Sequence, residues 1–227
     1  MGREPHNNNS GFVRDIIIGM SDGLTVPFAL TAGLSGVLST NHLIIVSGLA
    51  EIAAGCISMG LGGYLAGESE VEHYDSELKK EFSEIESVPD TELKEVQDIL
   101  VDLGVEESLS SQVALQISKN KGRWADFMMK LELNMEKPAR NRAAKSAMTI
   151  ALSYLVGGFI PLFPYLVFKD SRDGLYASCA VTILALMFFG YFKSKVTGQP
   201  LIKGTIKVAM TGIIAAAAAY LLAKAVS

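Results

Sequence analysis

Cysteine and histidine are scarce, and their scarcity removes several chemistries at the outset. The two cysteines, Cys56 and Cys179, both fall inside long apolar runs and have no metal-ligand spacing. They exclude a disulfide framework and a zinc site, and read as small packing residues. Histidine occurs three times, at positions 6, 42 and 73. A carboxylate-bridged di-iron enzyme uses two Glu-x-x-His pairs on facing helices, and Glu70-Val-Glu-His73 supplies one with no second. No organelle address motif is legible in the first or last residues. The polar segment 1–11 precedes an apolar run too long and too charged for a cleaved signal, so a retained first span is expected.

Apolar sequence, by contrast, is abundant. About half of the residues are apolar and glycine is plentiful. Five stretches, 12–38, 43–65, 147–167, 175–191 and 205–222, approach the roughly 20 apolar residues that about 30 Å of hydrocarbon requires. An all-α membrane protein with five transmembrane helices is therefore expected, its fourth span short and its first interrupted by charge. Gly48, Gly55, Gly62 and Gly63 in span two, and the alanine run 215–219 in span five, would permit close helix approach. Gly157-Gly158, Pro161 and Pro164 suggest a bent third span.

Charge divides the chain. Residues 68–142 hold 18 of the 24 Asp and Glu but 10 of the 20 Lys and Arg, so this stretch is net −8 while the remainder is net +4. The expected domains are 1–67 with spans one and two, an acidic insertion at 68–143, and 144–227 with spans three to five. The turn 39–42 has no Lys or Arg, and 169–173 has two offset by two aspartates, whereas 193–207 has four lysines and no acid. Positive charge marks the cytosolic side, which places the last loop, the N-terminus and the insertion in the cytosol.

Within the insertion about three helices are expected besides a continuation of span two over 68–85. Ser87-Val88-Pro89-Asp90 ends that continuation, and Asp90 can cap a helix from near Thr91 that stops at Leu103-Gly104. A short polar helix follows at 110–119; after Asn120-Lys121-Gly122 the next covers 124–135 and ends before Pro138.

The ionisable residues at membrane depth are the most informative. Glu51 sits near the middle of the second run with Met59 two helical turns below, and Asp22 lies in the first. A charged residue at a helix centre is unfavourable by roughly 2.5–3.5 kcal/mol. A cation would offset that cost, and carboxylates plus a thioether read as a metal path; a neutral carboxyl hydrogen-bonded between helices is the alternative. Pro27 lacks an N–H and frees the carbonyl of Gly23, so a bent helix there could add a backbone oxygen beside Asp22, or serve packing alone. A path using Met59 favours softer transition ions over magnesium.

In the insertion, Glu77, Glu81 and Glu84 fall at i, i+4 and i+7, and Glu92 and Glu95 at i and i+3. Met128 and Met129 precede Glu132 by four and three residues. Each set can face one way. Such spacing marks either a solvated face or carboxylates sharing a cation, and the methionines either fill a core or act as soft ligands.

The segment from Asp15 to Leu34, DIIIGMSDGLTVPFALTAGL, followed by GLAEIAAGCISMGLGGY from Gly48 to Tyr64, strongly resembles the vacuolar iron transporter family, and the likeness covers nearly the whole chain. The resemblance implies an antiporter that moves ferrous iron, and related divalent metals such as manganese, from the cytosol into the vacuole in exchange for protons. It implies a homodimer in the vacuolar membrane, with the path between the two copies of span one. Asp22, Glu51 and Met59 match the family's pathway residues. Glu81, Glu84, Glu92, Glu95, Met128, Met129 and Glu132 match the ligands of its cytosolic metal-binding domain. Glu77 and Glu68, Glu70 and Glu72 read as an electrostatic funnel. Cobalt, nickel and zinc also remain open as substrates; no prosthetic group and no nucleic-acid partner are expected. A membrane sensor or scaffold whose acidic domain binds a partner, and a divalent-metal channel uncoupled from pH, are the competing classes.

Overall fold

The structure, a computed structural model, describes residues 10–38, 40–139 and 141–227. The segment 1–9, with His6, and Ser39 of the first turn lie outside the described residues. The chain is all-helical among the described residues: α1 Ser10–Ser35, α2 Asn41–Ser87, α3 Pro89–Asp102, α4 Glu107–Ser118, α5 Lys121–Leu131, α6 Arg142–Val167, α7 Ser171–Val196 and α8 Leu201–Val226. Five of these, α1, α2, α6, α7 and α8, are long and apolar enough to cross a membrane. The 47 residues of α2 give a rod of about 70 Å at 1.5 Å per residue, more than twice the hydrocarbon thickness of about 30 Å. Two compact units result, the chain up to Leu65 with Ala143–Ser227, and Ala66–Arg142.

In the membrane unit, small residues set the helix spacing. Gly19 and Gly23 of α1 lie directly against the α6 backbone at Ile150 and Tyr154, and Gly157 of α6 lies against the α1 backbone at Gly23 and Leu24. Gly48, Gly55 and Gly63 form a stripe on α2 that receives the side chains of Leu162, Tyr154 and Ile150 from α6, while Gly62 meets nothing. Phe28 and Ala32 of α1 are buried with Ala216 of α8, so the alanine run is an α1 contact surface. Leu24 packs with Leu186 and Phe189 of α7 and Ala209 of α8.

Hydrogen bonds fasten one end of this unit. The Asn41 amide donates to the carbonyl of Phe168 at 2.5 Å, Ser171 donates to the carbonyl of Leu38 at 2.9 Å, and Tyr165 and Ser35 share a hydroxyl contact of 2.8 Å. A β-bridge joins Thr40 to Asp170. The α1–α2 and α6–α7 turns therefore lie at the same end, as an up-and-down order of spans requires. Pro27 does not end α1, nor do Pro161 and Pro164 end α6. The Ser178 hydroxyl donates to the carbonyl of Pro161 at 2.7 Å, one of the cross-helix bonds that stabilise irregular backbone within a span.

In the second unit, Ile85 at the end of α2, Val96 and Leu100 of α3, Ala114 of α4, and Trp124, Ala125 and Met128 of α5 form one apolar cluster. Several helix ends differ from the sequence expectation. Helix α3 starts at Pro89 with Val88 as N-cap and no side-chain cap bond, so Asp90 is not the cap. Proline pre-sets the first helical residue, and Asp90 instead complements the dipole in the first turn. Helix α5 starts at Lys121 because the Asn120 side chain accepts from the Arg123 N–H at 3.0 Å, and it ends at Leu131 rather than 135. Asn134 then takes a positive φ of 51°. The fourth span is not short: Asp170 caps α7 by accepting from Arg172, and the helix continues to Val196 before Gly198 turns the chain at φ 67°.

Candidate metal sites

The first candidate lies in the membrane unit and is built around Tyr154. Glu51 projects from α2 one turn before Gly55, and Gly55 leaves room for the Tyr154 ring to lie against that helix. The Tyr154 hydroxyl then donates to Glu51 Oε1. The other oxygen, Oε2, is buried without a hydrogen-bond partner among the described residues. A buried acceptor left unpaired costs about 1–3 kcal/mol, so this oxygen is a ready position for a proton or a cation. Asp22 sits on α1 between Gly19 and Gly23, the glycines that contact α6, and is half-buried, as are Glu51 and Met59. The close α1–α6 contact thus brings the Asp22 turn to the backbone of the same tyrosine.

Sequence reasoning missed Tyr154, since a tyrosine in an apolar run reads as packing. The one available signal was the glycine stripe on α2, which calls for a large partner. Replacing Tyr154 with Phe keeps the ring against Gly55 and removes only the donor. A hydrogen bond to a charged group contributes about 1.5–3 kcal/mol, so metal uptake by this variant is expected to fall about tenfold or more, with an unchanged thermal unfolding midpoint. Undiminished uptake would make the bond irrelevant to transport.

The second candidate is the carboxylate cluster of the Ala66–Arg142 unit. Glu81 is 3% exposed and Glu92 is 5% exposed, and each has an Oε2 atom buried without a hydrogen-bond partner among the described residues. Burial raises the Glu81 carboxyl to about 7, helped by the negative charges of Glu132, Glu92 and Glu84 and opposed by Lys80. Burial likewise raises Glu92 to about 7, with Glu95, Glu84 and Glu132 adding and Lys80 opposing. Glu132, the C-cap of α5, is raised by burial and then by Glu95 and Glu84. The five glutamates therefore come from the end of α2, from α3 and from the end of α5, and lie within one another's fields. Lys80, 3.8 Å from Glu84, is the cation that opposes them.

The cluster is not a closed cage. Among the described residues no three His, Cys, Asp or Glu side chains converge tightly enough to hold a metal as they stand. Mutual repulsion keeps ionised carboxylates apart, and drawing them together requires a bound cation or protons. Met128 and Met129 are both fully buried. Met128 belongs to the apolar cluster around Trp124, and Met129 lies outside that cluster. Glu77 lies 4.0 Å from His73, and Glu70 lies 3.8 Å from Arg142.

Apolar spans with ionisable side chains inside them, paired with a unit rich in buried carboxylates, define a membrane protein that handles charged solute rather than an inert anchor. The VIT family profile matches residues 13–224. The chain is 52% identical to vacuolar iron transporter 1 of Tulipa gesneriana over 98% of its own length and 90% of the relative's. It is 50% identical to vacuolar iron transporter 1 of Arabidopsis thaliana over 98% of the chain and 89% of the relative. Protein CCC1 of Saccharomyces cerevisiae is 39% identical over 91% of the chain and 66% of that protein. The chain belongs to the VIT family and is accordingly a multi-pass membrane transporter, not an enzyme.

Proposed function

We propose that this chain is a proton-coupled antiporter of the vacuolar membrane that exports ferrous iron, and related divalent metals such as manganese, from the cytosol into the vacuole. The observation that carries the reading is Glu51, held in a span by Tyr154 through one oxygen while the other has no partner. Asp22, Glu51 and Met59 line the path, which two copies of the chain form between their first spans. A carboxylate must lose its proton to bind a metal, so binding releases protons and protonation releases metal. In an acidic lumen, protonation of Asp22 and Glu51 discharges the ion, and the proton returns. Met59 favours ferrous iron and manganese over strongly hydrated magnesium.

The Ala66–Arg142 unit faces the cytosol and gathers metal through Glu81, Glu84, Glu92, Glu95, Glu132 and the thioethers of Met128 and Met129. Ferrous-iron uptake into proteoliposomes with an imposed pH gradient tests the exchange. Uptake that rises with the gradient, and an opposite proton flux that requires metal, are expected. Uptake indifferent to pH would make the protein a channel. Trp124, 5% exposed and packed beside Met128, reports the second site. Its fluorescence is expected to change on adding manganese at neutral pH, whereas a scaffold binding only a protein partner would leave it unchanged.

A further inference from the structure

At the end of the membrane unit opposite the hydrogen-bonded turns, a cavity of about 550 Å³ opens between α1 and the α7–α8 connection. Ser21 and Thr25 of α1 form one wall, and Lys193, Lys203 and Lys207 stand around the other. No carboxylate lines it, and none of the three lysines has an ion-pair partner among the described residues. Three ammonium groups gathered around one hollow repel one another unless an anion is shared among them. The frame beneath is firm. Gly204 of α8 packs against Ser194 of α7, Gly190 packs against Thr205, and the turn is closed by a bond from the Gln199 N–H to the Ser194 carbonyl. Pro200 gives α8 no side-chain cap, so the first free N–H groups of that helix add donors at the rim.

We propose that this cavity is a binding site for a phosphate-bearing anion, the headgroup of a phosphoinositide in the adjoining leaflet or free phosphate. Its volume falls in the range of small-ligand sites. Basic pockets between spans on the cytoplasmic side are suited to phosphorylated headgroups, and the lysine-rich 193–207 loop is the one expected on that side. The lysines supply charge, and the Ser21 and Thr25 hydroxyls, which make no hydrogen bond among the described residues, supply direction. Ser21 adjoins Asp22, so the bound anion touches the helix that carries a pathway carboxylate.

The full chain in nanodiscs tests this by thermal unfolding and by mass spectrometry of retained lipid. Discs of phosphatidylcholine are compared with the same discs containing phosphatidylinositol 4-phosphate, with discs of matched charge containing phosphatidylserine, and with inorganic phosphate added. The phosphoinositide is expected to raise the unfolding midpoint and to be retained, phosphatidylserine less so. At about a fivefold contribution per lysine, the triple variant K193Q/K203Q/K207Q weakens binding about 100-fold and loses the midpoint shift. The same shift with inorganic phosphate, lost in the variant, assigns the site to the free anion. Equal shifts from phosphatidylserine and phosphoinositide, a shift that survives in the variant, or no shift with any anion overturns the proposal. Should the triple variant fail to fold, K203Q alone, at an exposed position, is expected to weaken binding about fivefold.

Discussion

Glu51→Gln is expected to abolish gradient-driven iron uptake while leaving the protein folded. Glutamine is nearly the same size, so the packing of α2 on α6 through Gly48, Gly55 and Gly63 is undisturbed. Its amide oxygen can still accept the Tyr154 hydroxyl, replacing the contact that Glu51 Oε1 makes now. Two things that the proposed exchange needs are lost: a negative charge to bind a divalent ion, and a group to exchange metal for a proton. A neutral side chain is also less costly at membrane depth than a charged one. The variant should therefore be as stable as the parent or more so, and a rise in unfolding midpoint with loss of transport is the signature of a charge kept for function. Metal uptake and coupled proton flux within a factor of two of the parent would remove Glu51 from the pathway, and Asp22→Asn would then become the deciding variant.

Without metal, the carboxylate cluster is expected to weaken the Ala66–Arg142 unit as pH rises, and divalent metal should reverse the trend. Glu81 and Glu92 are raised from an ordinary value near 4.5 to about 7 in the folded chain. The folded state thus holds more protons than the unfolded chain across that interval. The stability these protons contribute is fully present below about pH 4.5 and is lost as pH rises through about 7. Metal competes with the same protons. Binding of manganese should release about one to two protons near pH 6 and almost none near pH 8, with affinity rising over that range. Calorimetry of the full chain in two buffers of different ionisation enthalpy counts the protons. The double variant E81Q/E92Q should lose most of the pH dependence, leaving the part that Glu132 carries, and bind metal at least tenfold more weakly. Affinity that is level between pH 5.5 and 8 would mean that these two carboxylates do not meet the ion.

Much of this architecture is legible in the sequence because a membrane span leaves a long and simple trace. Each of the five runs of apolar residues became a helix. Ends were harder to place. The run at 175–191 understates α7 because Ser171 and the lysines near its end are polar yet helical: Asp170 just before it caps the helix, and Lys193 and Lys195 complement its C-terminal dipole. Asp90 looked like a cap, but proline one residue earlier already fixed the start. Tertiary pairings left no such trace. That Tyr154 would meet Glu51, 103 residues away, depends on a glycine opposite the ring. That Met128 would join the Trp124 cluster while Met129 would not depends on which side of α5 the core lies.

The contact of α1 with α6 has a mechanical consequence. Where Gly19, Gly23 and Gly157 bring backbone against backbone, no rotamer change can let the two helices slide, so they travel as one rigid piece carrying Asp22 and Tyr154 together. Helix α2 touches α6 differently, through the side chains of Leu162, Tyr154 and Ile150 seated on glycines, a joint that can give by turning those side chains. In the proposed antiport, opening and closing of the path would be movement of Glu51 relative to Asp22 and Tyr154, with the Tyr154–Glu51 hydrogen bond as the contact to be made and broken.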